Sequence, residues 1–178
     1  IEPNLQNIPI RFEEGKLIRK AFIPEDNCTF ISSDYSQIEL RVFASMANEE
    51  SMIEAFKNGL DIHTKTAMEI FNKPKEEITK NMRRQAKAVN FGILYGISNF
   101  GLSEDIGISV KDAKVFMDRY LEVFPKIKEY QDKLVEDAYK NRYVTTLFNR
   151  KRKIDELNNT NYIIRSQGER IALNTPVQ

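Results

Sequence analysis

The sequence holds one cysteine, Cys28, and one histidine, His63, among 178 residues. A single thiol excludes an intrachain disulfide, and a single imidazole argues against a His/Cys zinc centre. Both fit a reducing, intracellular compartment. No apolar run approaches the roughly 20 residues of a membrane-spanning helix, and no signal peptide precedes the first element. Net charge is also nearly missing, since 27 basic residues against 26 acidic ones leave +1. Binding to nucleic acid therefore cannot be inferred from global electrostatics and depends on where the charges sit. An initiating methionine is lacking too, so the chain, opening at Ile1, reads as a piece of something longer.

What is present is enough for one core, or one core with a satellite subdomain, given 41% hydrophobic residues. The positive charge gathers in two clusters, Lys80, Arg83, Arg84 and Lys87, then Arg150, Lys151, Arg152 and Lys153. By composition alone each cluster reads as a solvated face. Residues 1–12 carry two prolines and no helical period, which marks an extended lead-in. Leu17–Ile23 and Thr29–Asp34 read as strands. Helical periodicity then dominates over about 37–47, 50–58, 61–71, 75–96, 109–121 and 124–141, with starts marked by Pro74, Ser109 and Pro125. A short hairpin is expected from Tyr143–Leu147 and Arg152–Ile154 around Phe148-Asn149-Arg150, and a last helix over 159–174 that Pro176 can end. The fold class is α+β, mostly helical.

Two segments carry chemistry. Alternation along Thr29–Ser36 puts Phe30, Ser32, Asp34 and Ser36 on one face, so Asp34 closes a strand where a helix begins. A carboxylate there suits a hard divalent cation, though the same residue serves equally as a turn or helix-entry group. Ser36-Gln37-Ile38-Glu39 also fits a capping box, in which the Ser and the acidic residue three positions on satisfy each other's backbone donors. In helix 80–96, at 100° per residue, Arg83, Arg84, Lys87, Phe91 and Tyr95 fall within an arc of roughly 120°. Met82, Ala86, Val89 and Ile93 form a separate apolar stripe that can anchor the helix. From Arg83 to Phe91 is about 12 Å along the axis, close to the reach of a nucleoside triphosphate from terminal phosphate to base. Arg grips phosphate bidentately, Lys supplies a compact charge, and Phe and Tyr offer flat faces to a base.

Asp34-Tyr35-Ser36-Gln37-Ile38-Glu39-Leu40-Arg41, followed by Arg83-x-x-x-Lys87-x-x-x-Phe91-x-x-x-Tyr95-Gly96, resembles the first two active-site motifs of bacterial family A DNA polymerases. The likeness runs from Glu2-Pro3-Asn4-Leu5-Gln6-Asn7-Ile8-Pro9 to Asn174-Thr175-Pro176-Val177-Gln178. It implies a partial palm of few antiparallel strands over 1–48, helical fingers over 49–155 and a palm helix over 156–178. It also implies template-directed nucleotidyl transfer from deoxynucleoside triphosphates to a primer 3′-hydroxyl, with two magnesium ions.

Residue by residue, the resemblance places Arg83 at the γ-phosphate, Lys87 at the inner phosphates, and His63 on the triphosphate. It sets Phe91 under the incoming base and sugar and Tyr95 beside the templating position, with Gln37 near the nucleotide. Glu39 becomes the steric gate against a 2′-hydroxyl, which separates this reading from RNA polymerases of the phage type. Phe rather than Tyr at position 91 implies discrimination against nucleotides lacking a 3′-hydroxyl. Asp34 and the backbone carbonyl of Tyr35 would hold magnesium. Primer–template contacts are implied for Asn4, Gln6, Asn7, Arg11 and Arg84. They are implied too for Arg170, Asn174 and Gln178, whose donors suit the acceptors found on every base in the minor groove.

The family's second catalytic carboxylate lies in a His-Asp-Glu hairpin past the Pro-Val-Gln segment, so the chain alone is expected to be inactive. Its expected partners are primer–template DNA, deoxynucleoside triphosphates and the remaining palm, thumb and exonuclease-region segments, in a bacterial cytoplasm at the nucleoid. Two other classes remain open at this level, a non-catalytic nucleotide-binding module and a helical domain without a nucleotide site.

Overall fold

The computed structural model describes residues 8, 13–31 and 33–178, and the chain divides into two compact units, Ile1–Ser36 and Gln37–Gln178. In the first unit Glu13–Lys20 forms helix α1, with Glu13 and Glu14 in its first turn and Arg19 and Lys20 in its last. That charge order complements the helix dipole. The expected strand at Leu17–Ile23 is thus corrected to helix as far as Lys20, followed by irregular backbone. Among the described residues of Thr29–Asp34 there is no strand either. Alternation is only half of what a strand requires; a ladder partner must satisfy its backbone, and none is paired with these residues.

The second unit is a helical assembly. Its helices are α2 (Ile38–Ala47), α3 (Glu50–Lys57), α4 (Ile62–Phe71), α5 (Lys80–Leu94), α6 (Asn99–Ile106), α7 (Val110–Val123), α8 (Pro125–Asn141) and α9 (Tyr162–Asn174). The expected helix over 75–96 begins later, because Pro74 introduces only a 3-10 turn at Lys75–Glu77 and Thr79 caps α5 by accepting from the Met82 amide at 3.2 Å. Helix α6 was not expected. Its ends are nonetheless marked, by Ser98, which accepts from the Gly101 amide, and by Gly107 at φ 70°. Ser109 caps α7 through the Asp112 amide, and Pro125 occupies the first turn of α8, both as the sequence indicates.

Leu40, Phe43, Met52, Ile62, Ile70, Leu94, Leu102, Tyr120 and Phe124 are fully buried in one core that α2 to α8 share. Polar ends are closed by side chains from other helices. Glu49, buried, accepts from the Lys126 amide at 3.1 Å and supplies the missing cap of α8. Arg119 donates to the Ile70 carbonyl at 2.6 Å and Gln131 to the Ile93 carbonyl at 2.7 Å, satisfying the C-terminal turns of α4 and α5. The hairpin forms from β1 (Tyr143–Thr145) and β2 (Lys151–Lys153), antiparallel with Val144 opposite Arg152. A smaller core of Ala138, Val144, Ile154, Leu157 and Ala172 joins the hairpin, α8 and α9. No helix among the described residues is long and apolar enough to cross a membrane.

Candidate functional site

Helix α5 is fixed by its apolar side, where Ala86, Val89 and Ile93 are buried against the core. Its C-terminal end lies tight against its neighbours. A Cβ on Gly92 would come within 2.7 Å of Ile97, and one on Gly96, at φ 65°, within 2.8 Å of Leu173 on α9. Gly96 therefore answers both to backbone conformation and to the approach of α9. The opposite side of α5 presents Arg83, Lys87, Phe91 and Tyr95 in the order the spacing predicts.

At the N-terminal end of that row, Asp61 accepts from Arg83 Nε at 2.6 Å and from Arg83 Nη2 at 3.1 Å, and its Oδ2 also accepts from the Thr64 hydroxyl at 2.6 Å. Burial pushes the Asp61 carboxyl up, but the hydrogen bonds from Arg83 and Thr64 and the Arg83 charge outweigh it and hold the group well below the usual carboxylate range. His63 is buried on α4, and its pKa falls to about 4. Burial is the main cause, assisted by Arg83 and Lys87 and opposed by Asp61. Asn90, fully buried, lies 3.2 Å from His63 Nδ1 through its amide nitrogen, which also donates to the Ala86 carbonyl at 2.9 Å. The same nitrogen lies 3.1 Å from the Thr66 hydroxyl, so its two hydrogens are shared among three acceptors, and because an amide nitrogen only donates, its contact with the ring fits the tautomer in which Nδ1 accepts. In that tautomer the imidazole is neutral and Nε2 carries the hydrogen. Lys87 is exposed and forms no ion pair among the described residues; its ammonium lies 5.9 Å from the Phe91 ring centre. Since Arg83 is neutralised by Asp61 and His63 is uncharged, Lys87 supplies the uncompensated charge of the row.

The aromatic end is built as two half-buried rings. Phe91 and Tyr95 stand 6.1 Å apart at 22°, and His63 lies 5.8 Å from Phe91. The Tyr95 hydroxyl donates to Glu39 of α2, and burial, that hydrogen bond and the Glu39 charge push its pKa up to about 12. The capping-box reading of Ser36 and Glu39 is corrected here. The N-cap of α2 is Gln37, in a left-handed conformation at φ 55° with no side-chain cap, while the Glu39 carboxylate is taken by Tyr95.

The remaining candidates are dispersed. Asp34 and Tyr35 are exposed members of the first unit. No group of three or more His, Cys, Asp or Glu side chains is gathered to hold a metal ion among the described residues, so their donor set does not by itself fit two magnesium ions. Asn4, Gln6, Asn7 and Arg11 lie outside the described residues. Arg84, exposed, donates to Asn81 at 2.9 Å. The expected set of Arg170, Asn174 and Gln178 divides. The first two, with Ser166, line a groove of about 510 Å³ on α9, where Arg170 donates to the Tyr95 carbonyl at 3.4 Å and Asn174 Oδ1 is buried without a partner among the described residues. The helix ends at Asn174, and Gln178 lines a separate groove of about 460 Å³ with Arg150, Lys151 and Arg152.

In sequence, Asp61 stands at a helix start and signals only a cap, and Asn90 carries no motif of its own. The available signal was spacing: Asn90 follows Ala86 by one turn, on the side of α5 that meets α4, where a buried amide must find partners.

A guanidinium, an ammonium and two stacked rings in order along α5, with the imidazole of α4 beside Phe91, define the class, a helical subdomain with a basic and aromatic row on one helix. The model of DNA polymerase family A matches residues 1–178, and the chain belongs to that family. It is 57% identical over 178 residues to DNA polymerase I of Bacillus subtilis strain 168 and 54% identical over 179 residues to that of Geobacillus stearothermophilus. It covers 99% or more of its own length but spans only about 20% of either relative. A solved polymerase domain of Pol1 from M. smegmatis, in complex with DNA primer–template and dNTP, superposes with a TM-score of 0.86 at 40% identity. That likeness covers 98% of this chain and 31% of the solved one.

Proposed function

We propose that this chain is the fingers and part of the palm of a template-directed DNA polymerase, with palm residues in 1–48 and 156–178 and fingers in 49–155. The row on α5, backed by His63 of α4, carries this reading. It sets one uncompensated cation, one paired guanidinium and one neutral donor beside a stacking surface, in the order of a triphosphate, sugar and base. The substrate is a deoxynucleoside triphosphate and the product is DNA, formed by attack of a primer 3′-hydroxyl on the α-phosphate with release of pyrophosphate.

Arg83 holds the terminal phosphate, Lys87 the inner ones, and His63 donates from Nε2, so that charge developing on the leaving pyrophosphate meets fixed donors. Phe91 lies under base and sugar, and Tyr95 stands beside the templating position. Glu39, held by Tyr95, closes the space a 2′-hydroxyl needs, and Gln37 borders the same pocket. Arg84, Arg170, Asn174 and Gln178 are read as primer–template contacts, as are Asn4, Gln6, Asn7 and Arg11; the basic groove that Gln178 shares with Arg150, Lys151 and Arg152 supports its assignment.

Family A DNA polymerases use divalent metal ions. Asp34 and the Tyr35 carbonyl would be this chain's share of a two-magnesium site whose other carboxylates would come from the remaining palm; bound there, such ions would lower the pKa of the attacking hydroxyl and neutralise phosphate charge. The thumb and exonuclease-region segments complete the molecule, which works at the bacterial nucleoid. On this reading the 178-residue chain binds nucleotide but does not extend a primer.

Titrating a deoxynucleoside triphosphate into the chain and into Lys87→Ala, by calorimetry, tests the site. Binding that weakens without Lys87 supports it; wild-type binding indifferent to Lys87, or none, removes it. Primer extension by the isolated chain would refute the inactivity.

A further inference from the structure

We infer that Asp61 is a positioning residue for the terminal phosphate, holding the Arg83 guanidinium by one edge so that its other edge is presented, already oriented, to two phosphate oxygens. This rests on the reading of Arg83 as the terminal-phosphate group.

Asp61 occupies the N-cap of α4, where an aspartate ordinarily accepts from the first amides of the helix, yet its side chain makes no cap hydrogen bond. Both carboxylate oxygens are turned instead to Arg83, across 22 residues of sequence, and the Thr64 hydroxyl fixes Oδ2 in place at 2.6 Å. The grip is side-on. It consumes the single Nε hydrogen and one Nη2 hydrogen, leaving both Nη1 hydrogens and the second Nη2 hydrogen. One from each nitrogen forms a second fork of the kind that matches a phosphate bidentately. The Arg83 side chain is 46% exposed, and its hydrogen bonds to Asp61 do not use that edge. A carboxylate that merely occupied the site of a phosphate would take the end-on fork itself and have to be displaced. The observed geometry leaves that fork vacant and fixes a long side chain before the ligand arrives, which lowers the ordering cost of binding.

The test compares a deoxynucleoside triphosphate with the corresponding diphosphate, which lacks the terminal phosphate, on the 178-residue chain, Asp61→Asn and Arg83→Ala, by calorimetry. The preference for triphosphate should fall about tenfold in both variants while diphosphate affinity holds, which also shows that the fold is intact. Tighter triphosphate binding by Asp61→Asn identifies Asp61 as a competitor and overturns the inference, as does a preference unchanged in Asp61→Asn but lost in Arg83→Ala. A preference that Arg83→Ala leaves intact, or a wild-type chain that binds neither nucleotide, overturns the nucleotide reading itself and this inference with it. Should Asp61→Asn lose diphosphate binding too, Thr64→Val decides: it removes only the hydroxyl that steadies the carboxylate, and a reduced triphosphate preference supports positioning where an unchanged one overturns it.

Discussion

The two units put similar side chains to opposite use. In Gln37–Gln178, Phe43, Met52 and Leu94 are sealed in a core that fixes α5 and the groups along it. In the described part of Ile1–Ser36, Ile23 is 77% exposed and Ile31 is 89% exposed, and Asp34, also exposed, stands on irregular backbone. The difference teaches that a catalytic-type residue is only as well placed as the backbone beneath it. Arg83 and His63 are held by several contacts each, whereas Asp34 has a place in the sequence motif without a comparable frame among the described residues.

The largest expected contrast is in stability. Phe43→Ala should cost about 3–5 kcal/mol by chemical denaturation, and Ile31→Ala no more than about 0.5 kcal/mol, since only the first opens a cavity. Equal losses would mean that the N-terminal unit contributes to the core after all. Next, Lys87→Ala should weaken deoxynucleoside triphosphate binding by about ten- to a hundredfold, the range for a lost hydrogen bond to a charged group. Asp34→Asn should leave that affinity unchanged in the isolated chain. An Asp34 effect as large as that of Lys87 would break the contrast between framed and unframed residues.

Removing the Glu39 partner by Tyr95→Phe should cost about 1 kcal/mol of stability. The Tyr95 hydroxyl has a raised pKa in the folded state, so its contribution is complete below pH 10 and declines as pH rises from there through about 12, where the unfolded chain sheds its proton first. Denaturation midpoints in that range, lost in Tyr95→Phe, check it. His63 works in the other direction. Its folded pKa of about 4 lies below 6.5, so the unfolded chain binds the extra proton, and stability rises with pH across that window and is lost as pH falls through it. His63→Gln should flatten that segment. The smallest effect is reversible self-association through the exposed apolar side chains of the first unit. Sedimentation should show a concentration-dependent fraction above monomer, and replacing Ile23 and Ile31 by Ser should remove it.

Much of the helical unit could be read before any coordinates. The Ser109 cap marked the start of α7 and Pro125 that of α8, Pro176 lies just past the end of α9, and the periodicity of α5 separated its apolar stripe from its basic and aromatic row because both are properties of one helix. The strands failed for the opposite reason, since alternation in Thr29–Asp34 cannot say whether a partner is there to pair with it. Helix α6 lies between two legible end signals, but its eight residues give periodicity little to act on.

By itself the sequence determined the family, which its motifs carry along the whole chain, and the order of groups along α5, which follows from spacing on a regular helix. Tertiary structure alone decided that Glu39 serves Tyr95 rather than its own helix, that Asp61 gives up its cap to Arg83, and that His63 is neutral behind Asn90. Each of those outcomes joins residues 22 to 56 positions apart. A carboxylate or imidazole takes whichever partner the packing brings within hydrogen-bond reach, and that choice is made between helices, where local sequence has no say.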